Sequence, residues 1–262
     1  GAHARWVGVL ASASSDGLEN YLWLAVSETS DPTAAWNVYA IATGVDFPDY
    51  PGIASASDKI VLTSNDFDPS ETYVGPSIYV FDWAALLGGG PVSVGISSFA
   101  AGTGATFRPS QLLSPSSTVF MVYDRAGDIG YFEIVGSAAT RQIVNEHDLT
   151  TELGLAGFSD PPAPRQPGGG TITEAHDGRP TDAVWRNGHL WFVSSYDAVD
   201  GVDHYSGARW TEIGASAGAT PSILADLATT LAPLDVYLPG VTITGDGTAI
   251  FVATVSNATD TY

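Results

Sequence analysis

Two arginines in this sequence stand immediately before a proline: Arg108 before Pro109, and Arg179 before Pro180. In both places a short apolar segment follows the proline. If the two segments occupy equivalent places in the fold, the two guanidinium groups lie on the same side of it. A guanidinium carries a fixed fork of N–H donors that matches a carboxylate. The spacing therefore predicts a site that could clamp an acidic group.

Tyr50 and Leu238 precede a proline in the same way, so they fall at equivalent positions in the same pattern. Carboxylates lie close to two of the four positions. We expect one ligand-binding site to be lined by Tyr50, Arg108, Arg179, Asp49 and Asp182. In the competing interpretation each arginine pairs with a nearby acid, such as Asp177 or Asp182, and joins neighbouring elements of the fold.

A second cluster of polar residues runs from Asp197 to His204 and contains Asp197, Asp200 and Asp203. Calcium prefers six to eight oxygen ligands and accepts flexible loops rich in carboxylates. The sequence therefore predicts a loop whose metal ligands are Asp197, Asp200 and Asp203, with calcium as the cofactor. The competing interpretation is that these aspartates are ordinary turn residues, because an acidic chain contains such clusters by chance.

Motifs of the common catalytic sites are absent from the sequence. It has no Gly-x-Ser-x-Gly elbow, no His-Glu-x-x-His helix and no glycine-rich phosphate loop. Glycoside hydrolysis needs only two carboxylates at a suitable separation, and the chain has 29 acidic residues. That chemistry therefore stays open at this point.

The elements that would position these residues recur along the chain. Four times a proline heads a short strand, a polar turn follows, and a more apolar strand comes next; the prolines are Pro51, Pro109, Pro180 and Pro239. The turn pairs include Asn187-Gly188 and Asp246-Gly247, which are strong hairpin signals. Because proline lacks an N–H, we expect each of the four at the first residue of its strand.

A third strand and a fainter fourth follow most of these pairs. The fourth strand at 222–227 could equally be a short helix, because its leucines also fit a period of 3.6 residues. The sequence thus predicts an all-β protein, a β-propeller of four-stranded antiparallel blades. Five blades are visible, with a sixth if the chain is part of a longer polypeptide. We expect a single domain, or most of one, with blades at 1–45, 46–104, 105–150, 175–232 and 233–262.

The two ends of the chain depart from the repeat. Residues 5–12, 21–27 and 36–42 predict three strands of a blade whose inner strand is missing, and the last blade is incomplete. Residues 64–77 and 145–178 are expected to be long polar insertions.

Composition limits the possible partners. A net charge of −20 repels nucleic acid and anionic lipid, so we expect neither as a partner. No apolar run approaches the length of a membrane helix, so no membrane insertion is expected. The chain is acidic, has one lysine and is rich in Ser, Thr and Gly. This balance is typical of secreted bacterial proteins and favours an extracellular or cell-surface location.

The segment 25–33, followed by an aromatic strand and by Phe47-Pro48-Asp49-Tyr50-Pro51, resembles bacterial secreted proteins of the sialidase-like β-propeller type. The likeness covers most of residues 5–85 and, more loosely, Arg179-Pro180 and Ala208-Arg209-Trp210. It implies the propeller fold. The Asp-box hairpin of sialidases is present only in parts and out of register, at 14–17 and 244–247.

Three functions follow as hypotheses. The first is an extracellular or cell-surface propeller module that binds a protein or glycan partner through the loops at one mouth of the propeller's central channel. The second is a sialidase-like glycoside hydrolase or lyase. The third is a structural unit of a larger surface assembly.

Overall fold

The computed structural model describes residues 4–14, 17–175 and 177–259, apart from the side chain of Glu174. His176 and the Ser15-Asp16 part of the incomplete Asp-box lie outside the described residues. The described chain is all-β and contains several antiparallel four-stranded sheets. Its strands are β1 (Val7–Ala13), β2 (Asn20–Ser27), β3 (Trp36–Gly44), β4 (Phe47–Ser55), β5 (Lys59–Phe67), β6 (Tyr73–Asp82), β7 (Val94–Ser98), β8 (Ala105–Pro109), β9 (Gln111–Leu112), β10 (Val119–Arg125), β11 (Asp128–Val135), β12 (Gln142–Asp148), β13 (Pro180–Arg186), β14 (His189–Asp200), β15 (Asp203–Gly214), β16 (Ser222–Thr229), β17 (Asp235–Ile243) and β18 (Ala249–Ser256).

Two short α-helices interrupt the strands, α1 (Trp83–Leu87) and α2 (Leu149–Leu153). Neither of them, nor any other helix among the described residues, has the length and apolar character needed to cross a membrane. The chain divides into two compact units, the first formed by 1–121 with 132–144 and the second by 122–131 with 145–262.

The first unit contains two antiparallel sheets, β1-β2-β3 and β4-β5-β6-β7. Strand β5 is apolar over its first four positions except for Lys59, and its first seven residues are all buried. A strand of this kind suits the interior of a sheet that is covered on both faces. The core between the two sheets consists of Leu22, Leu24, Val26, Ile41, Ile60, Leu62, Tyr79, Phe81, Trp83 and Leu86.

The second unit contains the antiparallel strands β13 to β16, in the order β16-β15-β14-β13, and the pair β17-β18. Strand β17 lies against β13, β14 and β15. A further sheet has the strand order β8-β10-β11-β12, and the division of the chain into units runs across it.

The amino-terminal sheet differs from the expectation that its inner strand is missing. Strand β1 lies beside β4, as β4 lies beside β8, so β1 occupies the place of a first strand. Only Val45 and Asp46 separate β3 from β4, which leaves no room for a fourth strand between them. Within the described residues this sheet therefore has three strands, β1, β2 and β3.

The prolines do not all begin strands as expected. Pro180 is the first residue of β13, but Pro109 is the last residue of β8, and Pro51 and Pro239 lie inside β4 and β17. Both interior prolines fall where the strand pairing shifts register, between Asp49 and Gly52 and between Tyr237 and Gly240. A bulge leaves residues without a ladder partner, so it accommodates a residue without an N–H.

Three segments are more regular than the sequence indicated. Residues 64–77 are mostly the distal ends of β5 and β6, which form an extended hairpin rather than a loop insertion. The expected metal loop at 197–204 is the tip of the β14–β15 hairpin, closed at Gly201 and Val202. The alternative of a helix at 222–227 is wrong, because β16 pairs with β15 over this range.

Candidate functional site

Tyr50 occupies a strained position at the bulge of β4. Its φ of 50° is in the left-handed region, and its side chain is 43% exposed. Leu238 repeats the arrangement in the second unit, with a φ of 48°, 49% exposure and Pro239 after it. Such a conformation costs a non-glycine residue on the order of 1–3 kcal/mol, and it is found most often where a side chain must be presented.

The bulge of β4 also brings β8 close to it. A Cβ added to Gly52 would lie 2.7 Å from Cδ of Pro109 and 2.5 Å from the hydroxyl oxygen of Thr63. Only glycine fits such a contact, because any side chain would overlap its neighbours. The absence of a side chain at Gly52 therefore lets Arg108, which precedes Pro109, approach Tyr50, which precedes Pro51.

Those two residues, Arg108 and Tyr50, are in direct contact. The guanidinium carbon of Arg108 lies over the Tyr50 ring, 4.5 Å from its centroid. Aromatic faces attract cations at this distance. Nε of Arg108 is buried without a hydrogen-bond partner, and no carboxylate among the described residues forms an ion pair with this arginine. The guanidinium of Arg108 therefore lies beside the exposed Tyr50 ring, and no described carboxylate neutralises its charge.

Asp49 belongs to the same strand, opposite Asn65 of β5. Its side chain is exposed and makes no hydrogen bond to the described residues. In the first unit the structure therefore brings Arg108 into contact with Tyr50, and Asp49 precedes Tyr50 on β4.

Arg179 is differently placed. Its Nε donates to both carboxylate oxygens of Asp177 at 2.9 Å, and its backbone N–H donates to the same carboxylate at 2.8 Å. The fork of Arg179 is therefore already occupied by an acid of its own segment, as the competing interpretation held.

Asp182 lies within the second unit and joins two strands. One oxygen accepts the N–H of Ala183 at 2.9 Å, and the other accepts the N–H of Val241 in β17 at 3.1 Å. Both oxygens of this carboxylate are thus engaged by backbone donors, which gives Asp182 a structural role between β13 and β17.

The expected calcium ligands lie along the β14–β15 hairpin. Asp200 and Asp203 are paired at the end of the hairpin. Nδ1 of His204 lies 2.9 Å from each carboxylate oxygen of Asp197. Within the described ranges no group of three or more His, Cys, Asp or Glu side chains is arranged to hold a metal ion. Calcium binding by this hairpin stays a prediction from the sequence.

Two partly buried carboxylates lie outside the expected ligand-binding and calcium sites. Burial raises the pKa of Asp66 in the first unit and of Asp124 in the second. Asp66 accepts the hydroxyls of Ser64 at 2.6 Å and Ser77 at 2.5 Å, and Asp124 accepts the N–H of Gly127 at 2.6 Å. These donors come from the same hairpin in each case, so both carboxylates stabilise hairpin ends.

A cleft in the second unit was also not predicted from the sequence. It encloses about 250 Å³ between β14, β15 and the β17–β18 turn, and its lining includes Arg186, His189, Trp191 and Glu212. Arg186 and His189 flank the Asn187-Gly188 turn, and this pairing of a cation with an imidazole at a hairpin tip is the signal that could have pointed to it.

Comparisons with protein-family models, with curated proteins and with solved structures found no match to this chain.

Proposed function

We propose that the chain is a β-propeller module that binds a glycan outside the cytoplasm without catalysing a reaction, and that Tyr50 and Arg108 hold a carboxylated sugar of that glycan. The propeller is supported by the recurrence of four-stranded sheets. Within each unit, the first strands of successive sheets also lie side by side, as β1, β4 and β8 do in the first and β13 and β17 do in the second. The location rests on composition alone.

The observation that carries the proposal is the state of Arg108. All eight arginines lie in the described part of the chain, and six of them form a hydrogen bond or an ion pair. Arg108 and Arg186 alone do neither. In a chain with 29 acidic residues an arginine without an acid is unexpected, so an acidic group from a ligand is the natural partner.

A glycan is favoured over other acidic partners by the exposed ring beside the cation. An aromatic ring packs against the apolar face of a sugar, while the guanidinium edge donates to a carboxylate. The net charge of −20 opposes polyanions at long range, so the ligand should carry few charges. A neutral oligosaccharide that ends in one carboxylated sugar meets both conditions.

Isothermal titration calorimetry with paired oligosaccharides tests this proposal. Each pair contains the same neutral chain with and without one terminal carboxylated sugar, and heparin serves as a polyanion. We expect the singly charged member to bind and Arg108→Gln to weaken it by about tenfold or more, because a hydrogen bond to a charged group contributes about 1.5–3 kcal/mol.

Arg125→Gln is the matched control, because Arg125 is exposed and lies 3.9 Å from Asp148. It should leave the affinity unchanged. Equal affinity for the neutral and the charged oligosaccharide, or an unaltered affinity in Arg108→Gln, would contradict the proposal. Release of a sugar product during the titration would replace the binding function with that of a hydrolase.

A further inference from the structure

The cleft in the second unit is built on one face of a sheet. Arg186 and His189 are opposite each other in the β13–β14 pairing, and Trp191 and Glu212 are opposite each other in the β14–β15 pairing. His189 and Trp191 are two residues apart on β14, and side chains of a strand alternate between its faces. All four side chains therefore project from the same face.

The opposite wall comes from the last sheet of the second unit. Ile243 and the turn residues Gly245, Asp246 and Gly247 line it. Phe251 of β18 packs against Trp191 in a T-shaped arrangement, with 5.4 Å between the ring centroids. The cleft thus has an aromatic surface, several polar groups and a turn with little side-chain bulk.

The charged side chains of the cleft differ in whether they have hydrogen-bond or ion-pair partners. The Glu212 side chain is 16% exposed, and its carboxylate oxygen lies 2.6 Å from Nδ1 of His189. The carboxylate of Asp246 is held by its own turn, where it accepts the hydroxyl of Thr244 and the N–H of Thr248, and these bonds lower its pKa. Both acids of the cleft therefore have partners.

Arg186 does not. Its Nε is buried without a hydrogen-bond partner, and no acid in the described ranges of the chain forms an ion pair with it. A buried donor that is left unsatisfied destabilises the fold, and a charged donor does so more than a neutral one. The cleft thus offers a cation whose complement is a carboxylate from outside the chain.

We propose that this cleft binds a monosaccharide acid, a single pyranose ring that carries one carboxylate. Arg186 holds the carboxylate, Trp191 packs against the ring, and Glu212 accepts a hydroxyl. The volume of about 250 Å³ lies below the range of about 300–1,000 Å³ that drug-sized ligands occupy, so it suits a ligand of one ring. The site shares no residue with Tyr50 and Arg108, so it does not depend on the function proposed above.

Glucuronate is the probe, with glucose and acetate as its neutral and ringless counterparts. The indole N–H signal of Trp191, assigned by comparison with Trp191→Phe, reports binding in a two-dimensional NMR titration of the full chain. We expect glucuronate to shift this signal with saturation, and to bind at least about tenfold more tightly than glucose or acetate. Arg186→Gln should lower the glucuronate affinity by about the same factor.

One control variant separates this cleft from the other charges of the same unit. Arg125→Gln removes an exposed arginine and should bind glucuronate as the unaltered chain does. The Trp191 signal reports on the cleft, because Trp191 lines it, so failure of one proposed site leaves the other testable.

Three results would overturn the inference. The first is an unaltered glucuronate affinity in Arg186→Gln variants whose NMR spectra show the native fold. The second is acetate binding as tight as glucuronate binding, because the ring would then contribute nothing. The third is the absence of any saturable shift of the Trp191 signal.

Discussion

Arg165 and Asp235 form an ion pair across 70 residues of chain in the second unit, with 2.8 Å between Nε and a carboxylate oxygen. The Asp235 side chain is 1% exposed, whereas that of Arg165 is 36% exposed. Asp235 also accepts the N–H of Arg165 at 2.9 Å and the N–H of Ser206 at 3.0 Å. One buried carboxylate thus fixes the start of β17 to β15 and to the segment before β13.

Removal of this carboxylate should destabilise the protein. We expect Asp235→Ala to lower the free energy of unfolding by about 3 kcal/mol, because it leaves the arginine and two backbone donors without their acceptor. Equilibrium unfolding in urea measures the change. Asp49→Ala is the control: its exposed side chain makes no hydrogen bond to the described residues, so the change should stay within about 0.5 kcal/mol. Equal losses in the two variants would contradict the prediction.

Tyr123 predicts how the stability responds to alkaline pH. Burial raises its pKa to about 12, and the nearby carboxylate of Glu146 adds to the rise. In the unfolded chain a tyrosine ionises near pH 10. Between these values the unfolded state loses the proton and the folded state keeps it, so the free energy of unfolding falls as the pH rises.

Tyr123→Phe should remove that part of the alkaline loss, which amounts to up to about 2 kcal/mol. Urea unfolding at intervals between pH 8 and pH 12 gives the two stability curves. We expect them to run parallel below pH 9 and to converge above pH 10, where the unaltered chain loses more. Curves that stay parallel to pH 12 would show that Tyr123 ionises alike in both states.

Gly130 predicts a packing constraint. A Cβ at this position would lie 2.2 Å from two atoms of the Tyr123 ring, which covers the glycine from the neighbouring strand. Gly130→Ala should therefore lower the free energy of unfolding by about 2 kcal/mol, as overpacked sites do. Gly102→Ala is the matched control, because no atom lies within 4 Å of the added Cβ. A comparison of the two variants by thermal unfolding checks the difference.

The same arrangement recurs at Tyr196, whose ring lies 2.4 Å from the Cβ position of Gly207. Tyr123 and Tyr196 both precede an aspartate near the end of their strands. The positions of the prolines do not predict this pairing of a tyrosine with a glycine, because contact across strands depends on register, and register is known only once the strands are paired.

The bulges show a similar limit. Each of the four prolines lies in a strand, in β4, β8, β13 and β17, but only Pro180 is at a strand start as expected. A bulge is a defect of pairing between two strands, so neither strand alone contains the information. The left-handed conformation of Tyr50 and Leu238 follows from the bulge and was equally hidden.

For the candidate site, local sequence was sufficient in one case and insufficient in another. The shared position before a proline predicted Arg108 and Tyr50 at one site, and the two residues are in contact although 58 residues separate them in the chain. It suggested the same freedom for Arg179, whose fork Asp177 occupies. Arg186 forms no ion pair with the described residues, and the sequence could not show this because the absence of a partner is a property of the surrounding fold.

The sequence by itself determined that this is a protein of antiparallel hairpins. Alternating apolar residues and turns such as Asn187-Gly188 act over a few residues, so they are readable without coordinates. Only the tertiary structure decided which charges are neutralised, because Coulomb attraction and burial depend on which segments meet in space. The tertiary structure pairs Arg165 with Asp235 and leaves Arg108 and Arg186 without an ion pair among the described residues.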